Sequence, residues 1–134
     1  METLALYVVA ATLGAMLFFA VGVAPTVFQA LPAEQAGLFL RKLFPRYYLS
    51  LIIGSMTAGL LWLGTQPLAS GVCLLVTVST LWIRQWLVPH INALRDRELS
   101  GDVSAGKQFA RLHRLSVAIN MLQLLALLGI LIMA

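Results

Sequence analysis

His113, Ser116, Asn120 and Gln123 recur at spacings of three and four within an otherwise apolar stretch, which puts them on one face of a helix. Facing lipid, such a stripe is costly, so it belongs inside a bundle. There it either locks helices together through hydrogen bonds of about 0.6 kcal/mol each or lines a path for a ligand or a proton. Thr77, Thr80 and Arg84 form a matching face in an earlier stretch. Arg84 is the least comfortable charge in the chain. A guanidinium at mid-membrane costs at least ~2.5 kcal/mol, and no Asp or Glu lies in any apolar stretch to neutralise it. It either snorkels to the interface beside Trp82 and Trp86 or meets a partner inside the bundle. That partner would be a carbonyl freed by proline, Tyr47 or Tyr48, or an anionic ligand.

Other residue types point to weaker chemistry. His90 and His113 lie on different predicted helices, and such a pair suits a metal ion or haem. Met16, Met56 and Met121 fall at similar depth, and thioethers favour soft ions such as Cu(I), although methionine also fills cores. Cys73 is the single cysteine, so no internal disulfide forms. No Ser/His/Asp arrangement, phosphate-cradling glycine loop or pair of intramembrane carboxylates can be assembled. Glu34, Asp96, Glu98 and Asp102 read as solvated surface, and no nucleic-acid motif is present.

Four apolar stretches, 4–25, 47–64, 68–88 and 115–133, must position these side chains. Each approaches the ~20 residues that cross a bilayer, and lipid forces such stretches to be helices with internal hydrogen bonds. With 134 residues, 60% hydrophobic and 10% charged, there is no room for a separate soluble domain. The first stretch carries Glu2 rather than a basic leader and reads as a retained span. The net charge of +4 is unevenly placed. Arg41, Lys42 and Arg46 follow the first stretch, Arg95, Arg97, Lys107, Arg111 and Arg114 surround the last connection, and 65–70 and both termini carry no Lys or Arg. The positive-inside rule then puts both basic connections in the cytoplasm and both termini outside. Anionic headgroups are the ordinary partner of such charges, at about 1 kcal/mol per residue.

The helices should run about two turns past the hydrocarbon at the basic end, through 26–31, 33–44, 90–99 and 104–114, with 33–44 patterned as an interfacial helix. Turns are expected at Leu31-Pro32, 64–67 and 100–104. Pro25, Pro45 and Pro89 should bend their helices. A repeat is also visible: Lys42, Phe44, Arg46 and Met56 match Lys107, Phe109, Arg111 and Met121 at one offset, and Pro25 matches Pro89 one residue shorter. Two tandem hairpins, 1–65 and 66–134, would then be related by a pseudo-twofold axis along the membrane normal. At the same offset Tyr48 corresponds to His113 and Ser55 to Asn120, while Ala20 corresponds to Arg84.

"LFFAVGVAPTVFQALPAEQAG", "LFPRYY" and "FARLHRLSVAIN" together resemble the bacterial branch of the transmembrane-protein-two-hundred-and-five-like family, a domain of unknown function. The resemblance implies four membrane helices and a link, among eukaryotic relatives, to tolerance of platinum drugs; it implies no reaction and no catalytic residue. More loosely, the chain is similar to small copper-resistance and protoporphyrinogen-oxidase-type membrane proteins, some of which bind haem, but its first stretch lacks the histidine those oxidases place there.

The resulting expectation is an all-α, four-helix integral membrane bundle forming one domain, multipass in the inner membrane. A polar cavity near the cytoplasmic face, lined by Arg46, Tyr47, Arg84, His113, Ser116 and Asn120, would bind a small anionic or amphipathic ligand without catalysis. Arg46 and Arg84 would hold negative charge, Tyr47 and Ser116 would orient it, and Asn120 would close the inner end. The enzyme alternative is a haem- or metal-dependent oxidoreductase or metal-tolerance protein using His90 or His113. A third reading is a structural subunit, with Gly14, Gly22, Gly54 and Gly59 packing within the bundle or against a second chain. Membrane lipids are partners in every case.

Overall fold

The computed structural model describes residues 1–134 as four long helices and no strand. These are α1 (Glu2–Ala30), α2 (Ala33–Leu61), α3 (Pro67–Leu99) and α4 (Val103–Met133). Short connections make each helix antiparallel to the next. α1 stops because Leu31 precedes Pro32 and takes extended backbone (φ −118°, ψ 145°), the conformation a following proline imposes. Pro67 starts α3, where its missing donor is not needed. The last connection turns on Gly101 at φ +105°, a conformation that suits glycine alone. Asp102 then caps α4 by accepting from the Ala105 N–H at 3.1 Å. That bond, with Arg97 beside it, holds the Asp102 carboxyl below its ordinary range.

The expected extensions are continuous with the apolar stretches. In particular 33–44 is not a separate interfacial helix but the N-terminal part of α2, which runs through Pro45 as regular α-helix. The other two interior prolines act differently. Each follows a π turn, Phe18–Val23 before Pro25 and Ile83–Leu87 before Pro89. The Ala24 N–H reaches back five residues to the Phe19 carbonyl, and the Val88 N–H to the Ile83 carbonyl. The extra residue in the turn makes room for the pyrrolidine ring, so the helix widens where its ladder would otherwise clash with it.

α1, α3 and α4 are long and apolar enough to cross a membrane; α2 matches them in length, but its basic run and its serines and glycines dilute its apolar character. Large apolar side chains project from every helix, among them Phe18, Ile53, Leu75 and Leu122. Exposure on this scale has no place in water and is the surface of a membrane protein. Inside, Met16, Leu51, Trp62, Ile83, Leu87 and Leu127 are buried. Sequential neighbours pack together, and α4 closes the ring against residues 2–17 of α1. Two glycines set the close approaches. A Cβ on Gly54 would collide with Thr12 of α1, and one on Gly59 would press on Leu74 of α3. Gly59 also lets the Ser70 hydroxyl donate to its carbonyl at 2.7 Å. A Cβ on Gly14 or Gly22 would meet no neighbouring helix, so neither sets a close approach.

A polar core and a groove at the basic end

The stripe on α4 meets two other helices through a chain of hydrogen bonds. Tyr47 donates to Asn120 Oδ1 at 3.0 Å, Asn120 Nδ2 donates to Gln123 Oε1 at 3.3 Å, and Gln123 Nε2 donates to Ser79 Oγ at 2.8 Å and Thr80 Oγ1 at 3.1 Å. One level away, Ser55 and Thr77 share a bond of 2.8 Å across α2 and α3. These serines and threonines also bond to carbonyls of their own helices, such as Thr80 to Val76 at 2.7 Å, and no buried side-chain nitrogen or oxygen lacks a partner. The chain contains amides and hydroxyls but no carboxylate or histidine, so nothing along it takes up and releases a proton near neutral pH. It is a clasp that fastens α2, α3 and α4.

Beside the clasp, toward the Arg- and Lys-rich end, lies a groove of about 840 Å³, within the ~300–1,000 Å³ of small-molecule sites. It opens because α4 packs against α1 along 2–17 and makes no comparable contact with the last turns of α1. Its walls are two aromatic pairs. On α2, Phe44 stacks on Tyr48 with ring centroids 5.8 Å apart and planes at 16°; on α4, Phe109 stacks on His113 at 5.8 Å and 6°. Phe28 of α1, Leu40, Val88 and Ile91 complete the apolar lining, and Ser116 closes the inner end beside the Tyr48 hydroxyl.

The rim carries charge of both signs. Arg41 bonds through one nitrogen to Asp96 at 2.9 Å and to the Asn92 carbonyl at 3.2 Å. Arg95 bonds through one nitrogen to Glu98 at 2.9 Å and lies 5.3 Å from the centre of the Phe109 ring. Both arginines keep guanidinium nitrogens that no protein atom uses. Asp96, Glu98 and Asp102, expected at the solvated surface, are each paired there with an arginine.

The six residues predicted to form one cavity fall in three places. His113 and Ser116 line the groove. Tyr47 and Asn120 belong to the clasp behind it, because Tyr47 stacks on Phe19 of α1 at 4.2 Å and 21° and so turns inward. Arg46 and Arg84 lie elsewhere: Arg46 is exposed and donates to the Lys42 carbonyl of its own helix at 3.1 Å, and half-buried Arg84 donates through Nε to the Pro45 carbonyl at 3.0 Å. Arg84 therefore takes a carbonyl partner across the α2–α3 contact. Tyr48, Phe44, Phe109, Arg41 and Arg95 also line the groove although none was among the six expected site residues; the signal was the aromatic spacing of four shared by Phe44 and Tyr48 with Phe109 and His113. Of the metal candidates, His113 faces the groove, whereas His90 stacks on Trp86 at 5.3 Å on the outer side of α3. No three His, Cys, Asp or Glu side chains converge on a common point. Met16 is buried while Met56 and Met121 are exposed, so the methionines form no layer facing one ion.

Residues 7–100 match the model of a domain of unknown function, DUF4149. The matched range holds the first two of the three sequence blocks quoted above and stops before the third. The chain is also 31% identical over 134 residues to an uncharacterized protein of Aquifex aeolicus (strain VF5), with 96% of this chain and 92% of that one covered. No solved structure matches it.

Proposed function

We propose, for a chain that belongs to the DUF4149 family of unknown function, that it is a four-span inner-membrane protein that takes an amphipathic, acid-bearing molecule from the surrounding leaflet into its groove. The observation that carries this reading is the lining itself: paired aromatic walls, an opening between α1 and α4, and two rim arginines with unused nitrogens. The apolar part of the ligand lies between Phe44–Tyr48 and Phe109–His113. Its acid group meets Arg41 and Arg95, and Tyr48 and Ser116 supply hydroxyls at the inner end. Because Asp96 and Glu98 balance the arginines, the groove suits an amphiphile with one acid group better than a compact polyanion.

The basic end faces the cytoplasm on the positive-inside rule, and α2 spans with the others because it is antiparallel to both neighbours and equally long. The relation to the transmembrane-protein-two-hundred-and-five-like family is part of this proposal and rests on the three quoted blocks. Tandem duplication of a hairpin is also part of this proposal. It is supported by the paired π turns before Pro25 and Pro89 and by matched positions that line one groove: Phe44 with Phe109, Tyr48 with His113, and Phe28 with Asn92.

Gly37 supplies the test. It lines the groove, and a Cβ there meets nothing within 4 Å, so Gly37→Trp fills the groove while leaving the bundle packing alone. A diazirine-bearing fatty acid, photolysed with the protein in bilayer discs, should label Phe28, Phe44, Tyr48 or Phe109. Gly37→Trp should reduce that labelling about tenfold or more, a loss of ~1.4 kcal/mol in binding. Labels spread evenly over the outer faces, and indifferent to Gly37→Trp, would remove the groove from consideration. A Soret band in the purified protein would favour the haem alternative instead.

A further inference from the structure

Three of the nine Lys and Arg side chains, Arg41, Arg95 and Arg97, are neutralised by ion pairs. Of the rest, Lys42, Arg46 and Arg84 gather around one turn of α2. Arg84 reaches from α3 to the Pro45 carbonyl, next in the chain to Arg46, and Arg46 folds back onto the Lys42 carbonyl. The Nε bond fixes the Arg84 guanidinium in place, and its Nη1 takes Gln85 Oε1 at 3.3 Å. Its Nη2 has no protein partner. Two exposed cations, Lys42 and Arg46, therefore flank a half-buried, preorganised guanidinium with no acid among them, the arrangement that binds phosphate.

What lies beyond them decides the ligand. Leu49, Ile53, Met56 and Leu60 continue from Lys42 and Arg46 at spacings of three and four, so they share one face of α2, and all four are exposed. From Leu49 to Leu60 the helix rises about 16 Å, roughly one leaflet of a ~30 Å hydrocarbon core. We propose that this face of the α2–α3 pair holds one anionic phospholipid, its phosphate on Lys42, Arg46 and Arg84 and an acyl chain along the Leu49–Leu60 stripe. The site lies apart from the groove and stands or falls independently of it, since none of its three cations lines that groove.

The protein carries its own control. Lys107, Arg111 and Arg114 form an exposed basic stripe on α4, yet no neighbouring helix sends a cation to the backbone there, because the position matching Arg84 is Ala20. General attraction of anionic lipid to basic residues would treat the two stripes alike. A built site would not.

Native mass spectrometry of the detergent-solubilised chain, with dioleoyl phosphatidylglycerol, dioleoyl phosphatidylcholine or inorganic phosphate added, separates the cases. One phosphatidylglycerol should stay bound under activation that strips phosphatidylcholine, and inorganic phosphate should not displace it. The Lys42→Gln/Arg46→Gln double variant and Arg84→Gln should each weaken retention about tenfold, the scale of one charge-assisted hydrogen bond. Lys107→Gln/Arg111→Gln should leave it within about twofold. Because Lys42 and Arg46 are exposed, their double variant keeps the fold even if Arg84→Gln does not, and circular dichroism verifies this. Equal losses in the two double variants overturn the site in favour of diffuse attraction, and displacement by inorganic phosphate overturns the lipid as its occupant.

Discussion

Gly54→Ala tests the closest contact between α1 and α2. A methyl at position 54 would overlap Thr12 Oγ1 and stand 3.2 Å from Thr12 Cβ and 3.3 Å from Cγ2. Thr12 is buried, and its hydroxyl is held by the Val8 carbonyl of its own helix at 2.8 Å, so the clash cannot be relieved by a simple rotation. Separating the helices costs about 1–3 kcal/mol, offset by up to ~1 kcal/mol from replacing glycine within a helix. The single variant should therefore lose about 0–2 kcal/mol. Thr12→Ala alone removes a buried methyl and should lose about 1 kcal/mol. In the double variant Oγ1 and Cγ2 are gone and only the Cβ contact remains, so the glycine replacement becomes favourable and stability returns close to that of the parent. The coupling should be about 1–3 kcal/mol. Reversible unfolding in mixed micelles reads it, with buried Trp62 as the responsive fluorophore against the exposed Trp82 and Trp86. Additivity of the two changes within ~0.5 kcal/mol would refute this account of how α1 is seated.

Gln123→Leu cuts the clasp at its branch: with two interhelical bonds at about 0.6 kcal/mol each and the Asn120 amide left unpaired at about 1–3 kcal/mol, it should lower stability by roughly 2–4 kcal/mol in the same assay. If the protein moves protons, that movement should be unchanged per folded molecule, and its abolition without loss of stability would turn the clasp back into a pathway. For orientation, single cysteines at Gly101 or Glu34, in a Cys73→Ala background, should react with an impermeant maleimide only from the cytoplasmic side and one at Gln66 only from the other; labelling of Gly101 from outside would invert the topology.

The four helices and their turns were legible because lipid leaves little choice: a long apolar stretch must be helical, and Leu31-Pro32, Pro67 and Gly101 mark where it stops. The side of each helix that faces the core was legible only where polarity decided it, as for Ser116, Asn120 and Gln123, all buried. Tyr47 and Tyr48 illustrate the limit. Both are aromatic with a hydroxyl, and they differ by about 100° of helix rotation, which is set by the stacking of Phe19 from another helix. Likewise a proline announces a conflict four residues earlier but not its resolution. At Pro25 and Pro89 a π turn absorbs it, and at Pro45 the helix continues unbroken.

Arg84 joins these threads. As a lone guanidinium in an apolar helix it reads from sequence as a ligand-binding charge inside the bundle, yet its Nε reaches the Pro45 carbonyl on α2, next in the chain to exposed Arg46. On the duplicated-hairpin reading, the two halves keep the aromatic pairs that wall the groove and diverge at Arg84 and Ala20. The shared feature then serves a site between the hairpins, where both halves contribute equally, and the unshared one serves a site on the flank of a single helix pair. On that reading duplication gives the groove its two similar walls, and the later loss or gain of one arginine leaves a single flank equipped to hold phosphate.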